Sequence, residues 1–209
     1  MALQEMVKEE LHPSFTYDKY LFRKKVFKLF GEAFHIYGPD NDLAFYSKQK
    51  AFKVREDFRI YADLDCEEEL INITTPQIMD FGSTYFVDDS KSDMTIGAIR
   101  RKGMKSMIRD EWTLLSKDEE EIGKLTESSL GGALLSRFLK FVPQKYSILD
   151  NNGSKVADIK QHFNPFVLKY SMNIVARNSL IDPRLLVATG ILLAGIEGRQ
   201  DRGSNRNRF

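Results

Sequence analysis

The chain has 209 residues, of which 31 are Lys or Arg and 30 are Asp or Glu, so its formal net charge is +1. That length is enough for one domain, or two small ones, with a sizeable core, and the 42% hydrophobic and 29% charged residues exclude a wholly disordered chain. The single cysteine, Cys66, excludes an internal disulfide framework, and the balanced charge excludes a basic field spread over the whole molecule.

Short β-strands separated by polar turns are predicted along most of the chain. Apolar and polar residues alternate over 58–63, 94–99 and 166–174, and this period of two is typical of a strand with one buried face. Clusters rich in Gly, Asn, Asp and Ser interrupt the strands and favour hairpin turns. These clusters lie at residues 38–41, 88–90, 116–118 and 151–153.

One pattern is repeated along the chain. Three stretches, which begin at Phe34, Tyr85 and Tyr146, each have an aromatic-led strand, a polar turn and a second strand that ends in basic or amide residues. A further strand follows each stretch. The repetition indicates consecutive structural units, and with the strand near Tyr20 it predicts about twelve strands.

Two segments depart from the strand pattern and are predicted to be helical. Residues 128–141 have apolar side chains at helical spacing, which predicts a short helix between the second and third units. The second segment is 181–198, in which Asp182 is a capping residue and Pro183 suits a first helical position. Gly198 marks the predicted end of this second helix.

The second predicted helix is apolar on every side, unlike a surface helix. Its apolar part, from Leu185 to Ile196, has 12 residues. Such a helix reaches about 18 Å, whereas the core of a bilayer is about 30 Å thick. We therefore predict that it lies inside the protein, because a barrel of twelve strands is wider than its own side chains can fill.

The predicted fold is mainly β, a closed antiparallel barrel of about twelve strands around a buried hydrophobic C-terminal helix. The predicted organisation is an N-terminal lead-in segment at 1–19, the barrel with its central C-terminal helix at 20–198, and a flexible basic tail at 199–209. The first residues contain acids and no apolar run, so no signal peptide is expected. We expect a cytoplasmic protein.

Four stretches resemble the LURP-one-related family: LFRKKVFKLFGEAFHIYGPDNDLAFYSKQKAFKVREDFRIYAD, IGAIRRKGMKSMIRDEWTLL, QHFNPFVLKYSMNI and LLVATGILLAGIE. That family forms one superfamily with phospholipid scramblases and tubby C-terminal domains. The resemblance extends from about Tyr20 to Arg199 and implies a tubby-like barrel of twelve strands around a buried C-terminal helix. For function, the resemblance implies two kinds of activity to consider. Tubby domains bind phosphoinositide headgroups through surface Lys and Arg, and scramblases act on phospholipids with calcium.

The chain departs from the scramblases in three features. Animal scramblases resemble one another in a Pro-rich N-terminal region, a palmitoylated cysteine cluster and an acidic calcium-binding stretch before the last helix. This chain has one proline in its N-terminal region and one cysteine, and the sequence ARNSLIDP precedes its last helix. Scramblase-like activity therefore ranks below the other functional hypotheses.

A run of basic residues after the strand at 94–99 is the best candidate for a binding site. Five cations and no acid lie between Ala98 and Asp110. This local positive charge suits phosphate groups or anionic lipid headgroups, and Arg donates two parallel hydrogen bonds to phosphate. The predicted anionic-ligand-binding residues are Arg100, Arg101, Lys102, Lys105 and Arg109.

The alternative for this run is a solvated hairpin end whose cations pair with nearby acids, such as those of the loop 118–121. A second basic run, at 23–25 with Lys28, is a weaker candidate. Strand alternation there places Lys24 on the opposite face from its neighbours. Ordinary solvent-facing charge is the favoured interpretation of the second run.

No catalytic or metal site is predicted. The chain lacks nucleophile-elbow, Walker A and dinucleotide-binding motifs. His12, His35 and His162 have no metal-ligand spacing, and the acidic turns at 65–69 and 118–121 lack the alternating oxygen ligands of a calcium loop. We therefore expect a protein that is not an enzyme and has no cofactor.

The first functional hypothesis is a non-enzymatic barrel that binds anionic phospholipid headgroups at a membrane surface, or another phosphate-bearing ligand. The second is a structural or regulatory adaptor that binds another protein. Scramblase-like activity ranks last, because release of the helix from the barrel loses about 20 kcal/mol of burial at about 2 kcal/mol per large side chain. No transmembrane span is expected, and the acidic turns disfavour nucleic acid as a partner.

Overall fold

The computed structural model describes residues 11–25, 32–49, 57–75, 84–101, 112–127, 143–162, 164, 167–177 and 180–206. Within these residues, twelve antiparallel strands form a closed barrel in which each strand pairs with the next along the chain and the first pairs with the last. The predicted mainly β barrel is therefore confirmed. The strands are β1 (Lys19–Lys25), β2 (Glu32–Tyr37), β3 (Leu43–Gln49), β4 (Asp57–Tyr61), β5 (Glu69–Thr74), β6 (Thr84–Asp89), β7 (Thr95–Arg101), β8 (Trp112–Ser116), β9 (Glu121–Glu127), β10 (Lys145–Asp150), β11 (Lys155–His162) and β12 (Val167–Ile174).

Alternation along the strands places one set of side chains inside the barrel. Phe58 and Ile60 on β4 are buried, as are Tyr170 and Met172 on β12, which confirms the predicted inner faces. Met94 was predicted to share such a face, but it is 63% exposed. It lies in the turn before β7, where the backbone N–H of Asp89 donates to its carbonyl oxygen at 2.9 Å, so strand alternation does not apply to it.

The basic residues of β1 alternate as predicted. Arg23 is exposed, whereas Lys24 is buried and its Nζ lies 5.1 Å from the ring centroid of Phe34. Charged side chains enter a protein interior only with compensating contacts, and the face of an aromatic ring attracts an ammonium group. Lys24 is therefore part of the barrel interior and is separate from the basic surface.

The predicted hairpin turns at 38–41, 88–90, 116–118 and 151–153 are confirmed, since each lies at or next to a connection between consecutive strands. Three of these connections contain a non-glycine residue with positive φ: Asn41 (63°), Asp93 (59°) and Glu119 (62°). In the fourth, the residue with positive φ is Gly153 (81°), which has no side chain to strain.

One helix, α1 (Pro183–Arg206), follows β12, and a short 3₁₀ turn (Pro13–Thr16) precedes β1. Asp182 caps α1 as predicted, because its Oδ1 accepts the backbone N–H of Arg184 at 2.8 Å. The predicted end at Gly198 is wrong, and residues 199–206, assigned to a flexible tail, continue the helix. A glycine inside a helix costs about 0.5–1 kcal/mol relative to Ala, which weakens the helix without ending it. The predicted helix at 128–141 lies outside the described residues.

The first part of α1 fills the barrel. Every residue from Leu185 to Ala194 whose side chain is apolar is buried, and the helix contacts β1, β7 and β12. Each large apolar side chain buried in this way contributes roughly 1.5–3 kcal/mol. None of the helices formed by the described residues has both the length and the hydropathy needed to cross a lipid bilayer.

The barrel has one strongly acidic end. The five turns that join an even-numbered strand to the next odd-numbered one all lie at this end, because neighbouring strands run in opposite directions, and α1 begins here as well. Between these strands the chain has ten acidic and two basic residues, and we call this end the acidic rim. Its acids are Asp40, Asp42, Asp63, Asp65, Glu67, Glu68, Asp93, Asp118, Glu119 and Glu120, and its bases are Lys91 and Lys117.

Candidate functional site

The predicted basic run begins at the end of β7 that lies away from the acidic rim. Arg100 and Arg101 are the last two residues of β7. Lys102, Lys105 and Arg109 lie outside the described residues. The structure therefore describes the surroundings of only the first two members of the run.

Arg100 faces the solvent on the outer side of the barrel. Its side chain is 46% exposed, and its Nε donates to Thr84 Oγ1 on the neighbouring strand β6 at 3.2 Å. One guanidinium nitrogen also lies 3.8 Å from a carboxylate oxygen of Glu119, near the limit of an ion pair. An exposed pair of this length contributes little, so the guanidinium remains accessible to an anionic ligand.

Arg101 packs against the only tryptophan of the chain. Its guanidinium carbon lies 5.4 Å from the ring centroid of Trp112, which is directly opposite it on β8 and is 1% exposed. Successive residues of a strand point to opposite faces, so Arg101 cannot lie beside Arg100 on the outer surface. Its cation–π contact anchors the end of β7.

The acidic turns use their carboxylates to close the backbone. Asp63 accepts backbone N–H groups from Glu68 at 3.0 Å and from Glu67 at 3.2 Å. These hydrogen bonds hold the pKa of Asp63 below its ordinary value, and the one from Glu68 has the largest effect. Among the described residues, no group of three or more His, Cys, Asp or Glu side chains is arranged to hold a metal ion.

The cysteine lies in the same turn and has a disfavoured thiolate. Burial, followed by the charges of Asp63 and Asp65, raises the pKa of the Cys66 thiol, although Lys48 opposes the shift. A thiol of this kind is a weak nucleophile at neutral pH. Burial is the largest cause of this shift.

An ion-pair cluster at the acidic rim joins the start of α1 to the barrel, and no sequence pattern predicted it. The Arg184 guanidinium donates to Asp89 on β6 at 2.6 Å and to Asp182 at 2.9 Å, and its side chain is 16% exposed. Burial disfavours the Asp89 carboxylate, but hydrogen bonds from Ser92 and Lys91 and the charge of Arg184 hold the pKa of Asp89 below its ordinary value. The cluster fixes where the helix enters the barrel.

A second group of basic residues lies where the barrel closes, and of its members the sequence pointed only to Arg23, as part of the weaker run at 23–25. The pairing of β1 with β12 brings Arg23 opposite Lys169, and the pairing of β12 with β11 brings Lys169 opposite His162. On the other edge of β11, Lys160 lies opposite Lys145 of β10. We call the outward side chains of Arg23, Lys145, Lys160, His162 and Lys169 the seam surface.

The electrostatic effect of this grouping is visible at His162. Its Nε2 is 2.9 Å from Ser171 Oγ on β12. Burial lowers the pKa of His162 below its ordinary value, and the charges of Lys169 and Lys160 add to the shift. The charged side chains nearest to it in the sheet are Lys169, directly opposite on β12, and Lys160, two residues away on its own strand, which in turn lies opposite Lys145 of β10.

We expect His162 to make the protein less stable as the pH falls below 6.5, the ordinary pKa of histidine. As the pH falls, His162 takes up a proton in the unfolded chain before it does so in the folded protein. The contribution of His162 to the free energy of unfolding is therefore fully present above pH 6.5, and it declines until the pH reaches the lower pKa of the folded state. The His162→Gln variant should therefore lose less free energy of unfolding than the wild type between about pH 7.5 and pH 5.5. Urea unfolding measures this difference, and equal losses in the two proteins would contradict the lowered pKa.

The comparison with protein families agrees with this architecture. The model of the LURP-one-related family matches residues 19–194, a range that begins with β1 and ends within α1. No curated protein matches the chain. Because the matched range covers the whole barrel and most of the 209 residues, the chain belongs to the LURP-one-related family.

Proposed function

We propose that this barrel is a non-enzymatic protein that binds anionic phospholipid headgroups, or another phosphate-bearing ligand, peripherally and reversibly from the cytoplasm. The basic run that begins at Arg100 and Arg101 supplies contacts to the anion. The helix α1 stays inside the barrel during binding, because its buried apolar side chains stabilise the closed fold.

The separation of charge between the two ends of the barrel carries this proposal. Ten acids and two bases occupy the turns of the acidic rim. The segments that join the strands at the other end lie largely outside the described residues, and their sequence contains nine Lys or Arg and four Asp or Glu. A near-neutral protein with this asymmetry turns its basic end toward an anionic surface.

We expect co-sedimentation with phosphatidylserine-containing vesicles at low salt and none with phosphatidylcholine vesicles. Replacing both Arg100 and Arg101 with Gln should weaken binding about 5-fold, since Arg100 is the exposed member of the pair and one basic residue near an anionic surface contributes about 1 kcal/mol. Raising the salt to about 1 M should abolish binding, because the Debye length falls to about 3 Å.

The matched control is the double variant Lys19→Gln/Lys117→Gln. It removes the same charge from exposed positions at the acidic end, so it should bind like the wild type. Equal binding by all three proteins would remove Arg100 and Arg101 from the site. Failure of the wild type to sediment with any anionic vesicle would overturn the proposed function.

A protein-binding adaptor is the second candidate, and the exposed apolar side chains favour it. Among the described residues, the exposed large hydrophobic side chains all lie in connections at the acidic rim: Leu64, Met94, Val175 and Leu180. Their acidic surroundings suit a basic segment with apolar anchors. Capture of such a partner that persists at high salt, together with no binding to vesicles, would favour this candidate.

A further inference from the structure

The seam surface places like charges directly opposite each other on neighbouring strands. Lys145 faces Lys160 across β10 and β11, and Arg23 faces Lys169 across β1 and β12. Directly opposed like charges destabilise a sheet, since the side chains of cross-strand partners lie about 5 Å apart. The fold therefore tolerates a repulsion at this site, and an anion bound between the opposed bases would relieve it.

Within the described residues, no acid forms an ion pair that compensates this repulsion. Some other bases of the barrel have acidic partners, such as half-buried Arg59 with Glu69 at 2.8 Å and exposed Lys91 with Glu68 at 2.9 Å. Within the part of the chain that the structure describes, Arg23, Lys145, Lys160 and Lys169 form no ion pair. Asp158, the acid nearest in sequence on β11, is engaged by Ser147 and Lys155.

We propose that the seam surface is a second anion-binding site and that it contacts the phosphate groups of an anionic phospholipid surface. This inference rests on the proposed function, and it identifies a second basic wall of the barrel. The site needs no residue of the basic run. It extends from β10 to β1, and its nearest strand, β10, is three strands from β7 around the barrel.

The width of the seam surface favours an array of phosphates over one small ligand. From β10 to β1 the site crosses three strand spacings, or about 14 Å. A single phosphate accepts hydrogen bonds from two or three of these side chains at most. A bilayer surface presents many phosphates. Besides the lysines, suitable hydrogen-bond donors are the guanidinium of Arg23, which can bind a phosphate in a bidentate manner, and the hydroxyl of Ser171.

A polynucleotide is the competing polyanion, and the neighbouring aromatic rings disfavour it. Single strands bind through bases that stack on free ring faces. Tyr37 already stacks with His35 and carries the Arg23 guanidinium 5.7 Å from its ring centroid, and Tyr46 packs edge-on against His35 at 5.2 Å. Tyr37 therefore has ring contacts with both His35 and Arg23, which leaves less of its surface for a base to stack on.

The test compares three double variants in co-sedimentation with phosphatidylserine-containing vesicles at low salt. We expect Lys160→Gln/Lys169→Gln to bind about 30-fold more weakly than the wild type, and Lys19→Gln/Lys117→Gln to bind equally well. Arg100→Gln/Arg101→Gln reports on the basic run separately. A parallel titration with single-stranded polynucleotide should show weaker binding than the vesicles do.

Different results would contradict the proposed function and the assignment of the seam surface as a binding site. If the wild type sediments with anionic vesicles and Lys160→Gln/Lys169→Gln sediments equally well, the seam surface is not the site, and the proposed function survives. If the wild type does not sediment at all, both are wrong. If the seam variant loses polynucleotide binding and the wild type ignores vesicles, the surface binds nucleic acid and the lipid assignment is overturned.

Two further readouts separate binding from folding. The seam variant should unfold at the same urea concentration as the wild type, or a higher one, because it removes opposed positive charges. Anionic vesicles should raise the pKa of His162, followed by NMR of its ring protons, because phosphate stabilises the imidazolium. A stable variant that still binds, or a pKa that does not move in bound wild type, would contradict the inference.

Discussion

The Gly190→Val variant should be strongly destabilised, by about 3 kcal/mol, because α1 touches the barrel wall at this residue. A Cβ atom at Gly190 would lie 2.4 Å from Cζ of Phe22 and 2.9 Å from two other atoms of the same ring. Phe22 is fully buried inside the barrel, so its ring has no free space to enter. Urea unfolding should show a lower midpoint with an unchanged slope.

Gly195→Ala is the matched control on the same helix. A Cβ atom there would meet the Phe58 ring at 3.1 Å, a contact that a small shift relieves, and Ala favours a helix by about 1 kcal/mol over Gly. We therefore expect near-wild-type stability. Adding Phe22→Leu to Gly190→Val should recover part of the loss, and no recovery would mean that the ring is not the obstacle.

The sequence predicted the strands and the central helix because both depend on local patterns. Apolar and polar residues alternate in any strand that has one solvent-exposed face, and a helix that is apolar on all sides is stable mainly inside the protein. The register was not predictable. Arg23 lies opposite Lys169 only because the barrel closes, and no local pattern encodes a pairing between residues so distant in the chain. The helix continues past Gly198 because local propensity is a weak signal where a helix is already formed.

Prediction of the site was limited by the same separation of residues along the chain. Adjacent residues such as Arg100 and Arg101 are conspicuous in a sequence, yet they point to opposite sides of β7. The seam cations come from four strands, and each is an ordinary surface residue until the strands pair. One signal existed: outward-facing bases occur near the end of the first strand and the start of the last, and closure of a barrel brings those positions together.

The cluster that joins α1 to the barrel also escaped prediction, because Arg184 and Asp89 are 95 residues apart in the chain. We expect Arg184→Met to destabilise the protein by about 3 kcal/mol, since it leaves a buried carboxylate without its cation. Asp89 has a side chain that is 10% exposed, so water cannot replace the lost partner fully. Arg177→Met, which breaks an exposed pair with Asp18, should cost less than about 1 kcal/mol.

The pH dependence of the stability lost in Arg184→Met distinguishes an electrostatic cause from a loss of packing. In the wild type the lowered pKa of Asp89 gives stability that is present above the ordinary pKa of 3.8 and is lost as the pH falls through the folded-state pKa. In Arg184→Met the uncompensated carboxyl takes up a proton more readily, so the difference from the wild type should shrink between about pH 7 and pH 4. Asp89→Asn, added to Arg184→Met, should recover part of the stability at neutral pH, because the amide retains the oxygen that accepts the turn N–H groups of Lys91 and Ser92. A loss that is equal at both pH values and is not reduced by Asp89→Asn would show that Arg184 acts through its packing alone.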